Sequence, residues 1–195
     1  MERAARGFLS SVVEWLTVAI SALPAFWLGF LLVFLFAIQV RLFPATGYVP
    51  PTESIGGWLW SLVLPVTTIV VVPLMGIARQ TRDSMQEAMS RDFVAALRAD
   101  GISELRIIWR HALRAAAIPV ITLVGVYIVG MLGGSVFAES VFALNGLGNL
   151  VVSSSQKGDL PVVLGVVMVI CLGVVVVNLL IELCYGWLNP KVRRA

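Results

Sequence analysis

A chain of 195 residues that is 59% hydrophobic and only 13% charged falls well below the roughly 25% charge of a soluble domain. With a mean hydropathy of +0.95, this excludes an ordinary cytosolic enzyme, a disordered tail and a nucleic-acid-binding domain. The net charge of +3 reads as a topology signal rather than as affinity for an anionic partner. Cys171 and Cys184, the only cysteines, lie in an apolar run, which argues against a disulfide scaffold or a thiolate metal site.

A bilayer-spanning helix needs about 20 mostly apolar residues. Four stretches meet that requirement: Val12 to Val40, Gly57 to Ala78, Ala115 to Ala138, and Val162 to Leu188. The first is interrupted only by Glu14 and Gln39, and the last only by Glu182. Lipid-exposed backbone must satisfy its own hydrogen bonds, so these stretches are expected to be helices. The alternation of a membrane β-barrel is absent. Arg3 and Arg6 ahead of the first run imitate a signal peptide, but the run continues far beyond a normal h-region, so a retained helix is expected.

Lys and Arg in the short loops set orientation. Arg3 and Arg6, the seven arginines from Arg79 to Arg114, and Lys191, Arg193 and Arg194 place 12 of the 14 basic residues on one side. Only Arg41 and Lys157 fall on the other. Both termini and the segment 79–114 are therefore expected in the cytoplasm. The outer connection from Pro44 to Gly57 is rich in proline and glycine. The second, Glu139 to Pro161, is longer and more apolar, and is expected to be a loop that re-enters the membrane surface or packs under its own side chains. With no internal repeat, the chain reads as a single all-α integral membrane domain, residues 1–195.

The cytoplasmic segment carries most of the information. Ser84 and Glu87 fit a capping box, predicting a helix from about Met85 to Ala99 with Phe93 and Leu97 on one face. Gly101 stands where a left-handed helix end wants glycine. Ser103 then caps a second helix from Glu104, with Leu105, Ile108 and Trp109 sharing a face. Two short amphipathic helices joined by a glycine elbow can rest on the membrane helices or dock a cytoplasmic partner. A DNA-binding helix pair is conceivable by shape but not expected, because membrane helices tether both ends tightly.

Catalytic and metal chemistry are poorly represented. His111 is the sole histidine, and without clustered Cys, Asp or Glu it argues against a metal site. Gly133-Gly134-Ser135 faintly suggests a membrane serine protease, but Ser135 and His111 lie about a membrane thickness apart along one helix. A His-Glu-x-x-His motif is absent. A channel or secondary transporter places charges or broken helices at mid-membrane, and this sequence offers little of either.

The stretch RADGISELRIIWRHALRAAAIP, from Arg98 to Pro119, resembles the EAA loop of bacterial ATP-binding-cassette importer permeases, and most closely the dipeptide, oligopeptide and nickel branch. Four further blocks agree in order: SALPAFWLG from Ser21, GGSVFAESVF from Gly133 with GLG from Gly146, GDLP from Gly158, and NLLIELCY from Asn178 with NPKVR from Asn189. Ala95-Ala96-Leu97 stands where the general motif has Glu-Ala-Ala. Asp100 replaces a lysine, Gly158 an arginine, and Glu182 and Asn189 aspartates. The family has six spanning helices, and the resemblance implies that this chain starts just before the third, lacking an amino-terminal portion.

The resemblance implies a permease subunit of a peptide-class importer in the bacterial inner membrane, paired with a sister permease over two cytoplasmic ATPases and fed by an extracytoplasmic substrate-binding protein. Membrane lipid is its other contact, and nucleic acid is not expected. The sequence has no Gly-x-x-x-x-Gly-Lys-Ser/Thr phosphate loop. ATP and magnesium thus belong on the partner subunits, no cofactor is expected here, and the chain is no enzyme. Phe93, Ala95, Ala96, Leu97, Arg98, Asp100, Gly101 and Ile102 are the residues expected to dock the ATPase, with His111 holding the elbow. Glu139 is expected to face the binding protein or to cap local backbone. Glu182 is expected to reach water or to pair with Arg114 or Lys191. Asn178, one turn earlier, is expected to bond a neighbouring helix. The alternatives are a non-functional remnant and an ATP-independent channel or transporter.

Overall fold

The computed structural model describes residues 24–188, so Arg3, Arg6, most of the first apolar run and the segment from Asn189 to Arg194 lie outside the described residues. Among the described residues all regular structure is helical. Helix α1 (Ala25–Leu32) continues as a π-helical segment, Val33–Gln39. Then come α2 (Ile55–Ser90), α3 (Asp92–Ala99), α4 (Glu104–Arg106) with a π segment Ile107–Ala112, α5 (Leu113–Val141), α6 (Leu147–Lys157) and α7 (Leu160–Leu188). Among the described residues, three stretches are long and apolar enough to cross a membrane: Ile55–Ser90, Glu104–Val141 and Leu160–Leu188.

Serine and threonine hydroxyls keep these helices chemically self-sufficient. Ser54 caps α2 by accepting the Gly57 N–H at 3.1 Å. Thr67, Thr68 and Thr81 donate to the carbonyls of Val63, Leu64 and Ile77, each one turn back. A hydroxyl satisfied in this way can sit in lipid without an orphaned donor. Pro65, Pro73 and Pro119 are accommodated inside long helices, as in membrane helices whose freed backbone groups are otherwise satisfied.

Two features differ from the sequence expectation. Ser84 does not start a helix. It is buried inside α2, accepting from Gln80 Nε2 at 3.0 Å. The apolar signal stops at Ala78, but the helical period does not: Ser84 and Ala88 are buried while Asp83 and Glu87 are exposed. The buried positions are small, so hydropathy misses them. The segment from Glu139 to Pro161 is not a loop either. Helix α5 runs on to Val141, and α6 follows. The buried face of α6 consists of Gly148 and Ser154, again too small and polar to reveal a period.

The chain divides into two compact units, each built from parts of the long helices. In the first, covering 1–75 and 131–166, Leu64, Ala138 and Phe142 form a core, with Leu32, Ala37, Phe43 and Ile69 packed on it. The connection between α1 and α2 is held down by the Trp60 indole, which donates to the Leu42 carbonyl at 3.1 Å, and by the Gly47 N–H, which donates to the Phe142 carbonyl at 3.2 Å. The second unit covers 76–130 and 167–195. Its core is Ala88, Ala112 and Ala116, flanked by Met85 and Met89, so the backbones of α2 and α5 pack through alanines. A Cβ on Gly76 would overlap the Tyr127 ring, and one on Gly125 would overlap Ile181.

Candidate functional site

The elbow between α2 and α5 is built by backbone geometry. Helix α3 ends in a Schellman motif: the Ile102 N–H donates to the Leu97 carbonyl at 3.1 Å and the Gly101 N–H to Arg98 at 3.0 Å. Gly101 has φ +75, a left-handed conformation that costs other residues about 1–2 kcal/mol. Nothing lies within 4 Å of a Cβ built there, so glycine is required by backbone angle and not by crowding. Ser103 occupies the cap position of α4 through its backbone, accepting the Ile107 N–H at 3.1 Å, without a side-chain cap bond.

An ion pair spans the turn. Arg98 Nε donates to Glu104 Oε1 at 2.5 Å and Arg98 Nη2 to Glu104 Oε2 at 3.2 Å, a two-pronged contact of the strong type. The carboxylate beside it holds the guanidinium above its ordinary pKa, chiefly through the hydrogen bond. Val94 and Ile107, both 0% exposed, anchor the two arms.

The sequence-derived candidates fall into three groups here. Ala95, Ala96, Arg98, Asp100 and Gly101 are exposed, presenting a small-residue face edged with charge. Phe93, Leu97 and Ile102 are half-buried. His111 is half-buried and lines an open cleft with Phe93, Arg110 and Arg114. On the face shared by Leu105, Ile108 and Trp109, Ile108 is half-buried, while Leu105 is 71% and Trp109 70% exposed. The buried residue is Ile107, the first of the π segment Ile107–Ala112. No sequence pattern marks Glu104 as the partner of Arg98, since a six-residue separation across a turn is not a helical neighbour spacing.

Glu139 lies near the end of α5 and contacts local backbone. Its Oε2 accepts the Asn149 N–H at 2.8 Å, at the third residue of α6. Asn149 Nδ2 in turn donates to the Leu144 carbonyl at 2.9 Å. The carboxylate fills the space where side chains of residues 146 and 148 would begin, which explains glycine at both positions. Glu182 does not pair with Arg114. Arg114 donates instead to the Leu188 and Trp187 carbonyls at 2.9 and 3.4 Å, closing the end of α7. Glu182 and Asn178 are exposed along α7.

Long apolar helices with a protruding helical elbow between two of them define a multi-pass membrane protein. The chain belongs to the family of binding-protein-dependent transport system inner membrane components, whose model matches residues 1–194. It is 39% identical over 172 residues to a putative peptide transport system permease protein of Brucella abortus, covering 88% of this chain and 55% of the relative. It is 35% identical to the dipeptide transport system permease protein DppB of Bacillus subtilis, covering 96% and 58%. Against DppB of Escherichia coli identity is 31%, covering 88% and 58%. The chain thus spans somewhat more than half the length of these relatives. The family is one of transport components rather than enzymes and resides in the inner membrane.

Proposed function

We propose that the chain acts as one permease domain in an ATP-driven importer of peptides, transmitting ATPase motion through its elbow. The observation that carries this reading is the elbow itself. An exposed helix bearing Ala95 and Ala96 is held at a fixed angle by Gly101 and the Arg98–Glu104 pair, between two spanning helices. Small side chains let such a helix lie deep in a groove. The π segment Ile107–Ala112 joins the closed turn to α5, a placement suited to a hinge between them. The names of the relatives support peptides as cargo. The partners in this reading are a sister permease, two ATPases that hold ATP and magnesium, and an extracytoplasmic binding protein. Both termini and the elbow face the cytoplasm, and four helices cross the membrane.

The test is reconstitution of the chain with its sister permease, ATPases and binding protein in liposomes. Peptide-stimulated ATP hydrolysis that is lost in Gly101→Arg supports the reading. Hydrolysis equally stimulated in the variant contradicts it.

A further inference from the structure

We propose that the cleft where α5 begins and α7 ends binds the phosphate headgroup of an anionic phospholipid. The cleft is open, about 550 Å³, and is lined by Trp109, Arg110, Leu113, Arg114, Ala117 and Trp187 among others. Two arginines line it, and no Asp or Glu is among its lining residues. Arg114 is committed through Nε and Nη2 to the carbonyls ending α7. Arg110 is exposed, and among the described residues no acceptor is bonded to it. The adjoining cleft adds Arg91, which is paired with Glu87 at 2.6 Å, and His111.

The remaining wall selects a lipid over a soluble anion or an acidic protein surface. Leu113 and Ala117 are one turn apart and lead from the guanidinium groups along the spanning helix, an apolar path suited to an acyl chain. Trp109 and Trp187 flank the opening at 70% and 83% exposure. Indoles at the ends of spanning helices mark the headgroup level of a bilayer, and basic pockets between spanning helices take anionic headgroups there. The inference rests on the membrane location of the chain and is independent of its role in transport.

The experiment measures lipid retained by the full chain purified in mild detergent, read by native mass spectrometry after exposure to phosphatidylglycerol or phosphatidylcholine. The expected result is preferential retention of phosphatidylglycerol. Arg110→Gln, a surface change that leaves the fold intact, lowers that retention about fivefold, the effect of one cationic side chain near an anionic surface. Trp109→Ala lowers it as well. Dihexanoyl phosphatidylglycerol displaces the bound lipid, whereas inorganic phosphate at the same concentration does not. Equal retention of the two lipids, or no response to Arg110→Gln, overturns the proposal. Displacement by inorganic phosphate as effective as by the short lipid also overturns it and identifies a soluble-phosphate site. Loss of ATPase co-purification in Arg110→Gln with unchanged lipid retention assigns the cleft to a protein contact instead.

Discussion

Glu139 accepts the backbone N–H of Asn149 at 2.8 Å, ten residues further along the chain. A carboxylate from the end of one helix thereby caps the start of the next, where unsatisfied amides and the helix dipole favour negative charge. Glu139→Ala orphans that amide and is expected to lower stability by about 1–2 kcal/mol. Glu139→Gln keeps an acceptor and is expected to cost about half as much. Thermal unfolding in detergent distinguishes them, and equal midpoints for the three proteins would remove the cap from the account.

Gly148 is a packing requirement of the same joint. A Cβ there sits 2.7 Å from the Val136 Cα, and backbone cannot step aside as a side-chain tip can. Gly148→Ala is expected to destabilise by about 1–3 kcal/mol. Gly130→Ala meets nothing within 4 Å and serves as the control, expected to leave the midpoint within about 0.5 kcal/mol of wild type.

Ala143 carries the opposite lesson. It has φ 53 and ends α5 in the manner Gly101 ends α3, with the Leu144 N–H donating to the Glu139 carbonyl at 2.8 Å. A non-glycine residue in that conformation is strained by about 1–2 kcal/mol. Ala143→Gly is therefore expected to raise the unfolding midpoint, by somewhat less than the strain because glycine also loosens the unfolded chain. A lowered midpoint would contradict the assigned backbone angle.

Arg114 is expected to hold the end of α7. Arg114→Gln removes a cation from the carbonyl-rich end of a helix, and a loss of about 1 kcal/mol is expected. Hydrogen exchange locates it: faster exchange should be confined to the last turns before Leu188. Uniform acceleration along α7 would show that the contact does not cap.

Topology is open to direct labelling. Cysteine at Ser155, which is exposed, is expected to react with an impermeant maleimide from outside intact cells, and cysteine at Ser90 only after permeabilisation. Ser154 is unsuitable because it is buried. Reversed reactivity would refute the arginine-based orientation.

The three long apolar helices among the described residues are legible because continuous apolar runs carry their own length criterion. The elbow was legible because Gly101 marks a helix end by backbone necessity. What escaped reading was burial by small or polar residues. Ser84 and Ala88 continue α2 past the apolar run, and Gly148 and Ser154 hide the packed face of α6. Contacts between side chains far apart in sequence also escaped. Arg98 to Glu104 and Arg114 to Leu188 join groups with no local pattern, and several partners were available to each arginine. The contact of Glu139 with Asn149 likewise depends on the path of the chain, which brings residue 149 back to it.

The most direct test of coupling through the elbow is site-specific photo-crosslinking in the assembled importer. A benzophenone side chain at Ala96 is expected to capture the ATPase subunit, the one carrying the Gly-x-x-x-x-Gly-Lys-Ser/Thr loop. The same probe at Leu172, exposed along α7, is expected not to do so. Capture of the ATPase from Leu172, or a complex that assembles without any crosslink from Ala96, would contradict the account.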